Sequence, residues 1–275
     1  MIGQRRMAVP PWSELSVLAG LWLAILAYIV PKLLIGPISV LLGGGSDYAD
    51  IGTVFEKAAA VARFADARLA QSVPHAPFAD PPRILGSVVA ARVAWVLAIV
   101  SASLFAGSAL AASRQRLVVF ARLTGLNRFD FDRLWLPGLA VAVVYLLIGA
   151  YLRLVDASSL DVLKGEPAVL SATSRDGLAL ALYGVTTVVA APLGEEVFYR
   201  GFVFSGFASW GFWPAAAVSS AIFALSHLDA STLIPFTLVG MTLCWLYWRS
   251  GSLWDAIAFH SMFNLLSFIL LLARN

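Results

Sequence analysis

The chain has 275 residues, of which 60% are apolar and only 13% are charged, and its formal net charge is +3. Soluble globular domains contain roughly 45–50% apolar and about 25% charged residues, so this composition excludes a soluble domain held by a single membrane anchor. The small net charge gives no indication of a nucleic-acid partner, and we expect none.

Apolar segments long enough to be membrane helices recur along the whole chain. A helix needs about 20 mostly apolar residues to cross the hydrocarbon core. The chain offers about seven candidate spans, near residues 14–35, 84–112, 134–152, 177–205, 213–228, 232–248 and 253–273, of which 213–228 is short. Open strands cannot cross lipid, and the segments lack the alternation of a membrane barrel. We therefore predict an all-α, polytopic transmembrane helical bundle.

The end of the first span contains two prolines, Pro31 and Pro37, which are predicted to break the helix there. The segment LLIGPISVLLGGG (33–45) is a candidate re-entrant or interfacial piece. If it crosses the membrane, the number of membrane helices rises from seven to eight.

Basic residues predict the orientation of the bundle, because arginine and lysine are concentrated in cytoplasmic loops. They precede the first span and follow the second, as Arg5, Arg6, Arg114, Arg116, Arg122, Arg128 and Arg133. We therefore expect a cytoplasmic N-terminus and an extracytoplasmic loop at about 43–83, in which residues 54–70 form an amphipathic helix on the membrane surface. A composition rich in alanine, arginine and tryptophan is typical of a high-GC bacterium, so we expect the protein in a bacterial cytoplasmic (inner) membrane.

Ionisable side chains within the last four spans are the main indication of function, because a charge at mid-membrane costs about 2.5–3.5 kcal/mol even on the lenient insertion scale. Glu196 and Arg200 are four residues apart on one helix, with the acid first, which is the better orientation for an ion pair. Glu195 points about 100° away from Glu196 around the helix and is left without this partner. His227 and His260 lie on two later spans, each with another motif residue four positions away: Phe223 and Asn264.

If these helices are neighbours, Glu195, His227, His260 and Asn264 meet in one cavity. A carboxylate in an apolar cavity becomes a better general base near neutral pH, and with a histidine it could activate a water molecule. A second histidine and an amide could donate hydrogen bonds to an oxyanion. The alternative is that the polar residues only hold the helices together. That role is favoured for Glu196 and Arg200, and for Asn264 alone both roles are open.

Three short motifs resemble those of the CPBP (ABI) family of intramembrane endopeptidases, which includes the type II CAAX prenyl endopeptidases. EEVFYR (195–200) is similar to the EExxxR motif of the family, FALSH (223–227) to FxxxH, and HSMFN (260–264) to HxxxN. The motifs occur in the family order on separate apolar segments, and the resemblance covers roughly residues 177–275.

The resemblance implies a glutamate-type protease that uses no metal or other cofactor. Glu195 would be the general base, His227 would help to activate the water, and His260 with Asn264 would form the oxyanion site. Glu196, Arg200 and Phe223 would have structural or orienting roles. Residues 177–275 would form the catalytic core and residues 1–176 the N-terminal membrane helices of one integral membrane unit.

The expected partners are membrane lipid and a membrane-associated protein or peptide that contains the cleaved bond. The motifs determine neither whether the substrate is prenylated nor the oligomeric state. One rival hypothesis is a zinc protease with glutamate and histidine ligands, although the sequence has no HExxH motif. Another is a membrane scaffold or bacteriocin-immunity factor that uses the polar cluster for binding and has no catalytic activity.

Overall fold

The computed structural model describes residues 10–43, 88–158, 163 and 176–274, and all the regular secondary structure in these residues is helical. The all-α prediction is therefore confirmed. The predicted amphipathic helix within the loop at 43–83 lies outside the described residues.

Eight helices organise this part of the chain, and we number them in order. They are α1 (Glu14–Leu41), α2 (Val88–Ser113), α3 (Leu117–Leu123), α4 (Trp135–Asp156), α5 (Gly177–Phe204), α6 (Phe212–Leu225), α7 (Ala230–Ser250) and α8 (Leu253–Arg274). All but α3 and α6 are long and apolar enough to cross a membrane. Six of the seven predicted spans are therefore helices of membrane-spanning length in the described residues, and the seventh is the shorter apolar helix α6.

The prediction that prolines break the end of the first span is wrong, because α1 continues through Pro31 and Pro37 as far as Leu41. A proline inside a helix leaves the carbonyl group four residues earlier without its usual donor. For Pro31 that carbonyl belongs to Ala27, and the hydroxyl of Ser101 on α2 donates to it at 2.8 Å. A neighbouring serine thus supplies the missing hydrogen bond, as membrane helices permit. The described part of the 33–45 segment is the end of α1 rather than a separate eighth helix.

Helix α5 is the centre of the bundle and packs against α2, α6 and α8. It approaches α2 closely at Gly194, where a Cβ atom would overlap the backbone of Ala102. Two stretches of α5 are π-helical, Thr186–Ala190 and Glu196–Phe204. Such stretches within α-helices are frequent at functional sites, and the second begins at one of the two glutamates.

The start of α8 is fixed by the segment that connects α3 to α4. The main-chain N–H of Leu253 donates to the carbonyl oxygen of Thr124 at 3.2 Å, and the indole N–H of Trp254 donates to the carbonyl oxygen of Leu126 at 2.7 Å. These two hydrogen bonds anchor α8 about two helical turns before His260.

Candidate active site

The two adjacent glutamates of α5 have different surroundings. The side chain of Glu196 is completely buried, whereas 24% of the side chain of Glu195 is exposed. Consecutive residues of a helix point about 100° apart. The side chain of Glu196 points into the bundle, and that of Glu195 points towards an accessible space. Glu195 is therefore the carboxylate that a water molecule or a substrate can reach.

Glu196 accepts two hydrogen bonds at the same oxygen, Oε1. Nη1 of Arg200 donates at 2.9 Å, and Nδ1 of His260 lies at 2.8 Å. Arg200 is also fully buried, and its guanidinium group lies 4.4 Å from the centre of the Phe223 ring, where a cation–π interaction is favourable. The ion pair expected from the sequence is present, and it joins α5 to both α6 and α8.

His260 lies between the two glutamates. Its Nδ1 atom faces Glu196, while its Nε2 atom is 3.9 Å from Oε2 of Glu195. Because His260 is seven residues into α8, it lies about 10 Å from the beginning of that helix. The imidazole is nearly buried, with 6% of the side chain exposed. The site is therefore within the bundle rather than at its surface.

His227 occupies the turn between α6 and α7. Its Nδ1 atom lies 2.8 Å from the carbonyl oxygen of Phe223 and donates to it, since that oxygen can only accept. The ring packs edge-on against Phe223 and Phe236, with centroids 5.0 Å and 4.4 Å away. It also interacts electrostatically with Glu195 and His260. His227 therefore belongs to the same cluster as these two residues.

The turn that carries His227 lies at membrane depth. Helix α6 has 14 residues and is about 21 Å long, which is shorter than a hydrocarbon core of about 30 Å. Its first residue, Phe212, packs against Trp248 near the end of α7. The other end of α6, next to His227, is therefore the end that does not reach the membrane surface. Non-helical backbone at membrane depth occurs only inside protein or beside a water-filled cavity.

Asn264 lies one turn after His260 on α8, and its side chain makes a hydrogen bond to the backbone of α5. Its side-chain amide donates to the carbonyl oxygen of Thr187 at 2.7 Å, within the first π-helical stretch. An amide group has two N–H donors, so the second is not used by this bond. The sequence did not single out Thr187, and no pattern in the sequence could have identified a backbone acceptor 77 positions away.

In the described residues, no group of three or more histidine, cysteine, aspartate or glutamate side chains has an arrangement that could hold a metal ion.

The chain also resembles known proteins, and one of the matches covers helices α5 to α8. Residues 177–266 match the family model described as type II CAAX prenyl endopeptidase Rce1-like. This match agrees with the resemblance of residues 177–275 to the CPBP family. A curated protein of Bacillus subtilis (strain 168), named "Putative membrane peptidase YdiL", is 26% identical over 136 residues, which cover 49% of this chain and 50% of that protein. The chain thus aligns with about half the length of this relative. No solved structure matches the chain.

Within the matched segment, residues of all three motifs lie in one cluster. The contact between His260 and Glu196 is the feature that the sequence did not predict, because the two residues are 64 positions apart. The sequence assigned Glu196 to Arg200 alone. Phe223 was expected only to pack beside His227, but its ring also lies 6.0 Å from that of His260 and thus links the two imidazoles.

Proposed function

We propose that this protein is an intramembrane endopeptidase that hydrolyses a peptide bond in a membrane-associated substrate. In this proposal Glu195 and His227 activate the attacking water, and no metal takes part. The observation that carries the proposal is the difference between the two glutamates. Glu196 is buried and paired with Arg200, whereas Glu195 is partly exposed and its Oε2 atom lies 3.9 Å from Nε2 of His260, beyond hydrogen-bond distance. An accessible carboxylate beside a histidine is suited to general-base catalysis.

The proposed reaction moves one proton twice. Glu195, oriented with the help of His227, takes a proton from water, and the resulting hydroxide attacks the peptide carbonyl carbon. The carbonyl oxygen becomes an oxyanion and accepts hydrogen bonds from Nε2 of His260 and the second amide N–H of Asn264. When the C–N bond breaks, Glu195 gives the proton to the leaving amine. The products are a carboxyl terminus and an amino terminus, and the enzyme returns to its initial state.

The depth of the site supports a membrane-associated substrate. His260 and Asn264 are about 10 Å and 16 Å along α8, so the cleaved bond has to enter the bundle. A substrate that is anchored in lipid next to the protein meets this requirement at a much higher local concentration than a soluble peptide. The family and the named relative agree with a membrane peptidase and leave the substrate open.

The decisive experiment compares new peptide termini in membranes from cells that express the wild-type protein or Glu195→Gln at equal levels. The glutamine keeps the shape of the side chain and removes the base. We expect a set of termini that is present with the wild type and absent with the variant. Identical termini in both samples would instead favour the scaffold or immunity hypothesis. Cleavage that is lost with a zinc chelator and restored by zinc would contradict the metal-free mechanism.

A further inference from the structure

The contact between Glu196 and His260 determines which nitrogen of the imidazole faces the reacting groups. The Oε1 atom of Glu196 accepts from Arg200 at 2.9 Å, as expected of an ionised carboxylate in an ion pair. An ionised carboxylate only accepts hydrogen bonds. The Nδ1 atom of His260, 2.8 Å from that same oxygen, must therefore carry a proton. This leaves Nε2 as the nitrogen that is directed towards Glu195.

A proton on Nδ1 limits what Nε2 can do. A neutral imidazole carries one proton, so its other nitrogen is an acceptor. If His260 were neutral, Nε2 would present a lone pair to the substrate and would repel an oxyanion. A hydrogen bond from Nε2 to an oxyanion requires protons on both nitrogens, which means that the ring is an imidazolium.

The charges around His260 favour this doubly protonated form. The groups that face it are the carboxylates of Glu195 and Glu196 and the guanidinium of Arg200 on α5, and the imidazole of His227 beyond the end of α6. With a neutral His260, the two carboxylates and one guanidinium leave a net charge of −1 in a largely buried cluster. An imidazolium brings the sum to zero, and buried charges are tolerated where they are paired.

We infer that Glu196 is a positioning residue that keeps His260 as an imidazolium with its Nε2–H directed at the reacting carbonyl group. Glu196 itself touches neither water nor substrate, because it is fully buried behind His260 and Arg200. The catalytic consequence rests on the proposed endopeptidase function. The protonation of His260 does not, and it can be measured without any substrate.

The sequence makes that measurement tractable, because the whole chain contains three histidines: His75, His227 and His260. The full chain, labelled with ¹⁵N-histidine and placed in lipid nanodiscs at neutral pH, gives at most six imidazole nitrogen signals. The pair from His260 is assigned by its loss in His260→Gln. We expect both of these nitrogens to be protonated in the wild-type protein. A neutral His260 ring, or one with its proton on Nε2 only, would overturn the inference.

The variants test the part played by Glu196. In Glu196→Gln the negative charge is lost and we expect His260 to lose one proton, whereas Glu196→Asp retains a carboxylate and keeps both. Asp255→Asn is the matched control. Asp255 is also a buried carboxylate, but it lies on α8 and has no hydrogen bond to His260. An imidazolium that persists in Glu196→Gln would contradict the positioning role. Should Glu196→Gln fail to fold, the wild-type spectrum alone still decides the protonation state.

Activity adds a separate readout once a substrate is known. Loss of one oxyanion donor lowers the rate by about 10²–10³. We expect Glu196→Gln to lower kcat by this factor with little change in KM, and Glu196→Asp to restore part of the rate. If the wild type produces no new peptide termini, the proposed function fails while the nitrogen signals still report on His260.

Discussion

Asn264 on α8 donates its side-chain amide to the main-chain carbonyl oxygen of Thr187 on α5, over a distance of 2.7 Å. The bond joins two helices, and the two bonded residues are 77 positions apart in the sequence. It orients the amide group, because rotation of the side chain would break the bond. The remaining N–H of Asn264 is therefore held in one direction, which is what a donor to an oxyanion requires.

We expect Asn264→Ala to lower kcat by about 10²–10³ and to change KM little, because the donor acts on charge that develops in the transition state. The lost bond to Thr187 should also cost about 1 kcal/mol of stability. The rate is measured on the cleaved peptide found by comparing termini. Ser267→Ala is a suitable control, since its hydroxyl lies on the same helix and bonds to Tyr145 of α4. An increase in KM alone would show that Asn264 serves binding.

Arg200→Ala should destabilise the folded protein strongly. The change leaves the carboxylate of Glu196 buried without its ion-pair partner, a loss of about 3–5 kcal/mol for buried pairs. Thermal unfolding in detergent, monitored by the loss of the monodisperse protein, measures the effect. Arg249→Ala removes an exposed arginine at the end of α7, whose guanidinium lies 5.6 Å from the centre of the Trp245 ring, and should cost no more than about 1 kcal/mol. Equal thermal stability of Arg200→Ala and the wild type would show that the pair has no structural role.

The hydrogen bond from Ser101 to the carbonyl oxygen of Ala27 should stabilise the folded protein mainly when Pro31 is present. In the wild-type protein, Ser101→Ala leaves a buried carbonyl group without a donor, at a cost of about 1–3 kcal/mol. In Pro31→Ala, the alanine N–H can bond to that carbonyl group as in an ordinary helix, so the same serine change should cost much less. A double-mutant cycle on thermal stability measures the difference. Additive effects of the two changes would contradict the explanation given for the continuous α1 helix.

The ion pair between Arg92 and Asp176 should make stability depend on pH in the acid range. Two hydrogen bonds of 2.8 Å and 2.6 Å join the side chains, and Asp176 also accepts from the first turn of α5. These interactions lower the pKa of Asp176 from 3.8 to about 2, with the hydrogen bond from Arg92 as the largest cause.

Because the pKa of Asp176 is lower in the folded protein, its contribution to stability is complete above the unfolded value and is lost as the pH falls towards 2. We expect the wild type to unfold at a higher temperature than Asp176→Asn by a constant margin above about pH 5. That margin should decrease between about pH 4 and pH 2. A margin that is unchanged at pH 2 would show that Asp176 stabilises the protein without its charge.

The predicted orientation can be tested with single cysteines at two exposed positions. Asn127→Cys lies in the arginine-rich segment between α3 and α4, and Ala157→Cys follows the end of α4. The native Cys244 is buried, so it should not react. In intact cells, a membrane-impermeant maleimide should label Ala157→Cys. It should label Asn127→Cys only after the membrane has been permeabilised. The reverse pattern would place the N-terminus outside.

Contacts within one helix are the part of the site that the sequence predicted. The spacing of Glu196 and Arg200 was enough to predict their ion pair, and the pair is present even though this stretch of α5 is π-helical. Phe223 and His227 also pack as neighbours, although His227 lies in the turn just after α6. Helix geometry fixes such pairs, because residues four apart lie on the same face whatever surrounds them.

The composition and the apolar segments by themselves determined that the chain is an all-α membrane protein and where its apolar helices lie, because lipid offers the backbone no hydrogen-bond partners. Only the tertiary structure decided that His260 bonds to Glu196 and that Asn264 bonds to Thr187. It also decided that Ser101 supplies the bond that Pro31 removes from Ala27. Each of these contacts joins two helices, so it depends on which faces pack together and at what height. Neither the distance along the chain nor the period of a single helix contains that information.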